Sequence, residues 1–341
     1  MRRLPALLAL MCVLSACGRT SCGSDAPHAH PHARNTAKAP ALLPSSEAPY
    51  DTTTNAKELH VLEKIKARRN SASVRYVAPS SAELEVFGIW FRSVVASAEA
   101  DTLSVAQAPL GFELDTSSAA FWLAGEQTSH KRGAGAFVVR VGPALNWVVQ
   151  APHTFFDVGT LEIAVTCFEV LNARALLINT VRRSNSNEQD IEREERADLA
   201  RSGEADSDLA HATRSFFSTA HATFVHTATS YSTLQIHGFR DELLPQVSAV
   251  VSAAGTNAPA GALARRLQAV LGREAVRLYP SQVKQLGGTH NVQAQLSKAS
   301  GSAFIHLELS RSLRDRLRAD PEYRRTFAAT VKAGLLEAAK E

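Results

Sequence analysis

Cysteine is scarce in this chain: Cys12, Cys17, Cys22 and Cys167 are all it has. That spacing provides neither a disulfide framework nor a thiolate metal cluster. Cys167 sits in an apolar helical pattern and reads as a small core residue rather than a nucleophile. Charge of one sign is also missing. The 37 Lys and Arg against 33 Asp and Glu leave a net charge of +4 with both signs interspersed, and no basic stripe carries interleaved aromatics, so nucleic acid is not an expected partner. Long apolar runs are absent as well, because nothing past the first residues reaches the ~18 consecutive apolar residues of a membrane span.

What is present begins with "MRRLPALLALMCVLSACGRT". Two arginines, a short apolar run and small residues before Cys17 form a cleavable signal over residues 1–16. The "LSAC" tetrapeptide resembles the lipobox of bacterial lipoproteins, which implies lipidation of Cys17 and a membrane partner reached through that anchor. The alternative is an ordinary secretory signal cut nearby. Gly18 rather than an aspartate after the cysteine points to the periplasmic face of the outer membrane. Residues 17–70 are rich in Ser, Ala, Pro, Thr and His, too poor in large apolar side chains to fold, and read as a disordered tether. Its His28, His30 and His32 read as a solvated tract, with weak metal binding as the alternative.

Residues 71–341 are long enough for one large domain. Strand patterns occur in "AELEVFGIWFRSVV", "GAFVVRVG", "NWVVQAP", "RALLINTV", "TLQIHGF", "VSAVVSAA", "AVRLYP" and "SAFIHLELS". Helical patterns fall at about 160–172, 208–228, 260–271 and 321–339, the alternation that predicts an α/β fold. We expect a mixed, mostly parallel sheet with helices on both faces, a phosphorylase/hydrolase-like arrangement. Reactive groups in such sheets gather beyond the carboxyl ends of the strands.

Three polar positions stand at such ends. His153 and Asp157 follow "NWVVQAP", ahead of a helix for which Thr160 is the expected N-cap, and His237 closes "TLQIH" before Gly238, where a sharp turn is expected. Two histidines and a carboxylate form the set that catalytic zinc favours, with a fourth position left for water. Glu308, in "FIHLELS", is a candidate general base beside them; alternatively it pairs with Arg311 or Arg314. His221 and His226, five apart on a helical pattern, point to different sides and are not counted as a pair.

Taken together, "PHTFFDVGT", "LLINTVRRSN", "DLAH" with "RSFF", "LQIHGF" and "HLELSRSLR" resemble the zinc-dependent amidohydrolases of the N-formylglutamate amidohydrolase type and, more distantly, the zinc carboxypeptidases. The resemblance covers roughly residues 145–318. It implies zinc held by His153, Asp157 and His237, Glu308 as general base, and a catalytic arginine at Arg183 or Arg182. Asn179, Asp208, His211 and Arg314 are candidate substrate contacts. Carboxypeptidases place the carboxylate three residues after the first histidine, whereas Asp157 is four on, so Glu162 stays an alternative ligand. Asp208 and His211 either line the pocket or orient a ligand histidine, with a helix N-cap at Asp208 as the plain alternative. The polar stretch 184–206 reads as a solvated surface insertion, with a lid as the alternative.

Two classes of function follow. One is an envelope-anchored zinc hydrolase cleaving an amide bond near a carboxylate, acting on peptidoglycan fragments, short peptides or N-acyl amino acids. The other is a non-catalytic envelope lipoprotein that uses the same fold for binding.

Overall fold

The computed structural model describes residues 52–69, 74–183, 207–227, 231–255 and 258–337. The signal, Cys17, His28, His30, His32 and the 184–206 insertion lie outside the described residues. No helix among the described residues is long and apolar enough to cross a membrane.

The chain begins its described course with two helices, α1 (Thr52–Arg68) and α2 (Ser81–Glu99). Both correct expectations. Residues 52–68 were assigned to the tether, yet α1 buries Val61 and Ile65 completely against the sheet, and Glu58 is buried beside them with an ion pair to Arg325. The segment "AELEVFGIWFRSVV" is helical rather than extended. A capping box, in which Ser80 and Glu83 satisfy each other's backbone N–H groups, starts the helix, and Phe87, Trp90, Phe91, Val94, Val95 and Ala98 repeat at helical spacing on its buried face.

Strands β1 (Phe112–Asp115), β2 (Phe121–Glu126), β3 (Ala136–Arg140) and β4 (Leu145–Ala151) follow. Next come α3 (Thr160–Leu171), β5 (Ala173–Ile178), α4 (Phe216–Val225), β6 (Ser232–Phe239) and β7 (Ala249–Ala254). The chain continues through α5 (Ala260–Leu271), β8 (Val276–Leu278), α6 (Val292–Ala299), β9 (Phe304–Ser310), α7 (Arg311–Ala319) and α8 (Pro321–Glu337). The helix expected from residue 208 starts only at Phe216, where Ser215 caps it by accepting the Ser218 N–H.

The nine strands among the described residues form one mixed sheet in the order β1-β2-β3-β5-β4-β6-β9-β7-β8. Its centre, β5-β4-β6-β9, is parallel, and antiparallel pairs join it to either flank. Helices cover both faces. Leu161, Phe168, Leu263, Leu317 and Phe327 belong to the core on one face, built from α1, α3, α5, α7 and α8. Phe87, Phe91, Phe137, Phe216 and Phe224 belong to the other, under α2 and α4, and α6 packs against α4, β7 and β9. Cys167 is a buried core residue whose thiol burial pushes up to about 12, so it is inert near neutral pH.

Alternation along the central strands sets the chemistry. In β6 and β9, Leu234, Ile236, Ile305, Leu307 and Leu309 face the first core. The opposite face of the same strands carries Gln235, His237, His306 and Glu308, with Gln235 beside His306 and His237 beside Glu308. A buried polar row therefore runs across the middle of an otherwise apolar sheet.

Candidate functional site

The parallel centre ends in a tight turn after β4. Asp157 N–H donates to the His153 carbonyl at 2.7 Å, so residues 153–157 close one helical turn. Residues four apart on such a turn share a side, which is why a spacing of four brings the two side chains together. Asp157 Oδ2 lies 3.6 Å from His153 Nδ1 and 3.7 Å from His237 Nδ1. The Gly238 N–H donates to the same oxygen at 3.0 Å. All three side chains are buried and offer ligand atoms to a common centre.

The outer nitrogens of both rings are occupied. His153 Nε2 lies 2.8 Å from Asp208 Oδ1, and His237 Nε2 lies 2.7 Å from Gln235 Oε1. With Nε2 donating outward, Nδ1 is the nitrogen each ring turns to the centre, free on His237 and available on His153 once its proton is displaced. Four ligands around zinc at about 2.0–2.1 Å sit roughly 3.3 Å apart. The 3.6 and 3.7 Å separations to Asp157 are too long for hydrogen bonds and close to that ligand spacing. The donor set fits zinc.

Burial disfavours a charged His153, but the Asp208 and Asp157 carboxylates outweigh it and raise its pKa to about 9. His237 goes the other way. Burial, with positive potential from His306 and His153, holds it neutral, well below the usual histidine range. Asp208 is resisted by burial yet kept ionised by His153 and His211.

Glu308 is buried next to His237 in register, its Oε2 without a hydrogen-bond partner. Burial, reinforced by Asp157, pushes its pKa up to about 8. Neither Arg311 nor Arg314 pairs with it: Arg311 bonds Asp315 at 2.8 Å. Arg183 is partly buried, stacks over the Phe156 ring at 4.3 Å, and its charge acts on Glu308. Arg182 is exposed, so Arg183 is the arginine turned toward the site.

Several assignments need correction. Of the alternatives for Asp208 the geometry matches the second: it is 2.8 Å from His153 Nε2 and, through the same oxygen, 3.1 Å from Nδ1 of the partly exposed His211, so it orients the His153 ring. Asn179 is fully buried, donates to the Pro152 carbonyl and accepts the Val181 N–H, which holds the strand end in shape. Arg314 is buried too, donating to the carbonyls of Val158, Leu309 and Phe239, so it clamps the Asp157 turn to the ends of β9 and β6. Glu162 points away on α3, 3.8 Å from Lys66. Gly159, not Thr160, occupies the N-cap position with φ +96°, and Thr160 instead donates its hydroxyl to the Asp157 carbonyl. Gly238 lies inside β6, where its missing side chain makes room for the Arg314 guanidinium. His221 is buried away from His226, which is exposed.

His306 and Gln235 were missed. The His306 ring lies 4.6 Å from that of His237 at a 39° tilt, its Nε2 lies 3.7 Å from Glu308 Oε1, and with those two it forms a second group of potential ligands. The available signal was polar residues at every second position of two central strands, "LQIHGF" and "FIHLELS", where alternation with Leu and Ile already placed them on one face.

No family model matches the chain, and no curated protein matches it. Among solved structures it is similar to a bacteriophage poly-gamma-glutamate hydrolase, with 14% identity, TM-score 0.39, and coverage of 69% of this chain and 93% of that one. It is also similar to an N-formylglutamate amidohydrolase from Ralstonia eutropha, with 14% identity, TM-score 0.35, and coverage of 61% and 98%. A third is an N-acetylmuramoyl-L-alanine amidase of Nostoc punctiforme, with 9% identity, TM-score 0.27, and coverage of 58% and 100%. At these identities and TM-scores no activity transfers, and the chemistry rests on the side chains of this chain.

Proposed function

We propose that this chain is a zinc-dependent amidohydrolase that cleaves an amide bond near a carboxylate, tethered to the bacterial envelope by a lipid on Cys17. The observation that carries the reading is the convergence of His153 Nδ1, His237 Nδ1 and Asp157 Oδ2, each ring held from behind by a separate acceptor, beside a buried carboxyl with a free oxygen. Zinc bound to those three atoms supplies a Lewis acid for a carbonyl and makes a water acidic at about pH 7.

The remaining steps belong to the protein. Glu308 Oε2 accepts the proton of the attacking water and passes it to the leaving amine. Its carboxyl, held up to about 8 by burial and Asp157, is drawn down by any cation placed among the neighbouring ligands, which brings it into the range a general base needs near neutral pH. Arg183, steadied on Phe156, binds the substrate carboxylate as a planar two-pronged donor. Asp208 keeps His153 in the tautomer and orientation that ligation requires.

The substrates favoured by an envelope address are peptidoglycan fragments and short peptides, followed by N-acyl amino acids. The test is a hydrolysis screen of muropeptides, dipeptides and N-acyl amino acids, with zinc-loaded and chelator-stripped protein. Zinc-dependent release of an amine from a carboxylate-bearing substrate supports the reading. Full zinc loading with no turnover anywhere in the panel favours the binding module instead.

A further inference from the structure

His237 belongs to two overlapping groups of potential ligands, one with His153 and Asp157, the other with His306 and Glu308. A buried amide network fixes which ring nitrogen of His237 is free to bind a cation. Asn291 caps α6 by accepting the Ala294 N–H on its Oδ1 at 3.0 Å. A backbone N–H can only donate, so the other end of that amide is Nδ2, and it donates to Gln235 Oε1. Independently, Gln293 Nε2 donates to the Leu209 carbonyl at 2.9 Å. A backbone carbonyl can only accept, so Gln293 presents Oε1 to Gln235, whose Nε2 donates to it at 3.2 Å and to Gln150 Oε1 at 2.8 Å.

Both ends of the Gln235 amide are thus fixed by backbone groups through different residues, and they agree. Its Oε1 faces His237 Nε2 at 2.7 Å and, as an acceptor, requires a proton there. Gln150, Gln235, Asn291 and Gln293 are all buried, which keeps water from substituting for any link.

We propose that Gln235 is a positioning residue that fixes His237 as the Nε2–H tautomer, so that only Nδ1 is offered to a cation and the His153, Asp157, His237 set is chosen over any set engaging Nε2. The proposal rests on the metal-site reading above for its consequence, but the tautomer itself is a property of the metal-free protein. Asn291 and Gln293, at the start of α6, carry the selection from a helix terminus that touches no ligand.

Long-range 1H–15N correlation spectra of the metal-free full chain read the tautomer directly. The wild type is expected to show His237 protonated at Nε2. N291D keeps an oxygen to cap α6 but turns a second oxygen toward Gln235 Oε1, and Q235M removes the acceptor. Both are expected to mix the tautomers and to weaken zinc, measured by chelator competition on the folded variants, about 10-fold to 100-fold. A purely structural role for Asn291 predicts no change in zinc affinity for N291D. Wild-type His237 protonated at Nδ1, or unchanged zinc affinity in folded N291D and Q235M, would overturn the proposal. A wild type that binds no zinc contradicts the metal-site reading instead, and the tautomer spectra still decide the role of Gln235.

Discussion

Gly238→Ala is expected to damage both the stability of the fold and the metal site, through one collision. A Cβ at this position would lie 2.3 Å from Arg314 Nε and 2.5 Å from its Cζ. The guanidinium has nowhere to retreat: it is 3% exposed and bonded to the carbonyls of Val158, Leu309 and Phe239. Moving it strands those carbonyls, which belong to the Asp157 turn and the ends of β9 and β6. Hydrogen bonds to a charged group contribute about 1.5–3 kcal/mol each, and because three bonds on one guanidinium are not additive we expect a total loss of about 3–5 kcal/mol. For a domain of this size that is a fall in melting temperature of roughly 6–20 °C. Thermal unfolding followed by circular dichroism measures it, and Arg314→Met should give a comparable loss without the collision. The Gly238 N–H also holds Asp157 Oδ2, so zinc affinity should fall with stability. A Gly238→Ala protein that melts like the wild type would refute the clamp assigned to Arg314.

Glu308→Gln should lower turnover by about 10²–10⁴-fold while keeping zinc, and because the carboxyl lacks an ionic partner at Oε2 the variant should melt no lower than the wild type; near wild-type turnover would remove Glu308 as the base. In the metal-free protein His153 has its pKa raised from 6.5 to about 9, by Asp208 and Asp157 against the opposing effect of burial. Its contribution to stability is therefore complete below 6.5 and lost as pH rises through about 9. Melting of the chelator-treated protein across that window should show the loss, and His153→Asn should abolish it. Zinc competes with the proton on Nδ1, so chelator competition should find tighter binding as pH rises; affinity independent of pH would count against His153 as a ligand. Cys17→Ser is expected to release the protein from the membrane fraction, and firm membrane association of that variant would sink the lipid anchor.

The parallel centre of the sheet was legible because β4 and β5 are short apolar runs and β6 and β9 alternate apolar with polar residues, and His153, Asp157, His237 and Glu308 were singled out by the rule about strand ends. The edges were not. α2 is rich in Val, Ile, Phe and Trp, residue types that favour strands, and only the capping box and the helical spacing of its buried face give it away. α1 shows too thin an apolar stripe, Val61 and Ile65, to be separated from a polar tether without the sheet it packs on. β1 is four residues long, and in "FELD" only Phe112 is buried. At the site, Asp157 was ambiguous because a spacing of four suits a ligand pair only if the backbone closes a helical turn. Arg314 and Asn179 are polar residues near the chemistry that the sequence could not distinguish from substrate contacts, since what separates them is which backbone carbonyls they meet across long sequence gaps.

Zinc content of the purified chain and of three histidine variants tests the central claim most directly. The account predicts about one zinc per chain in the wild type, little in His153→Ala or His237→Ala, and full occupancy in His226→Ala, whose ring is exposed at the end of α4. Full zinc in both His153→Ala and His237→Ala would contradict it and place the metal elsewhere in the chain.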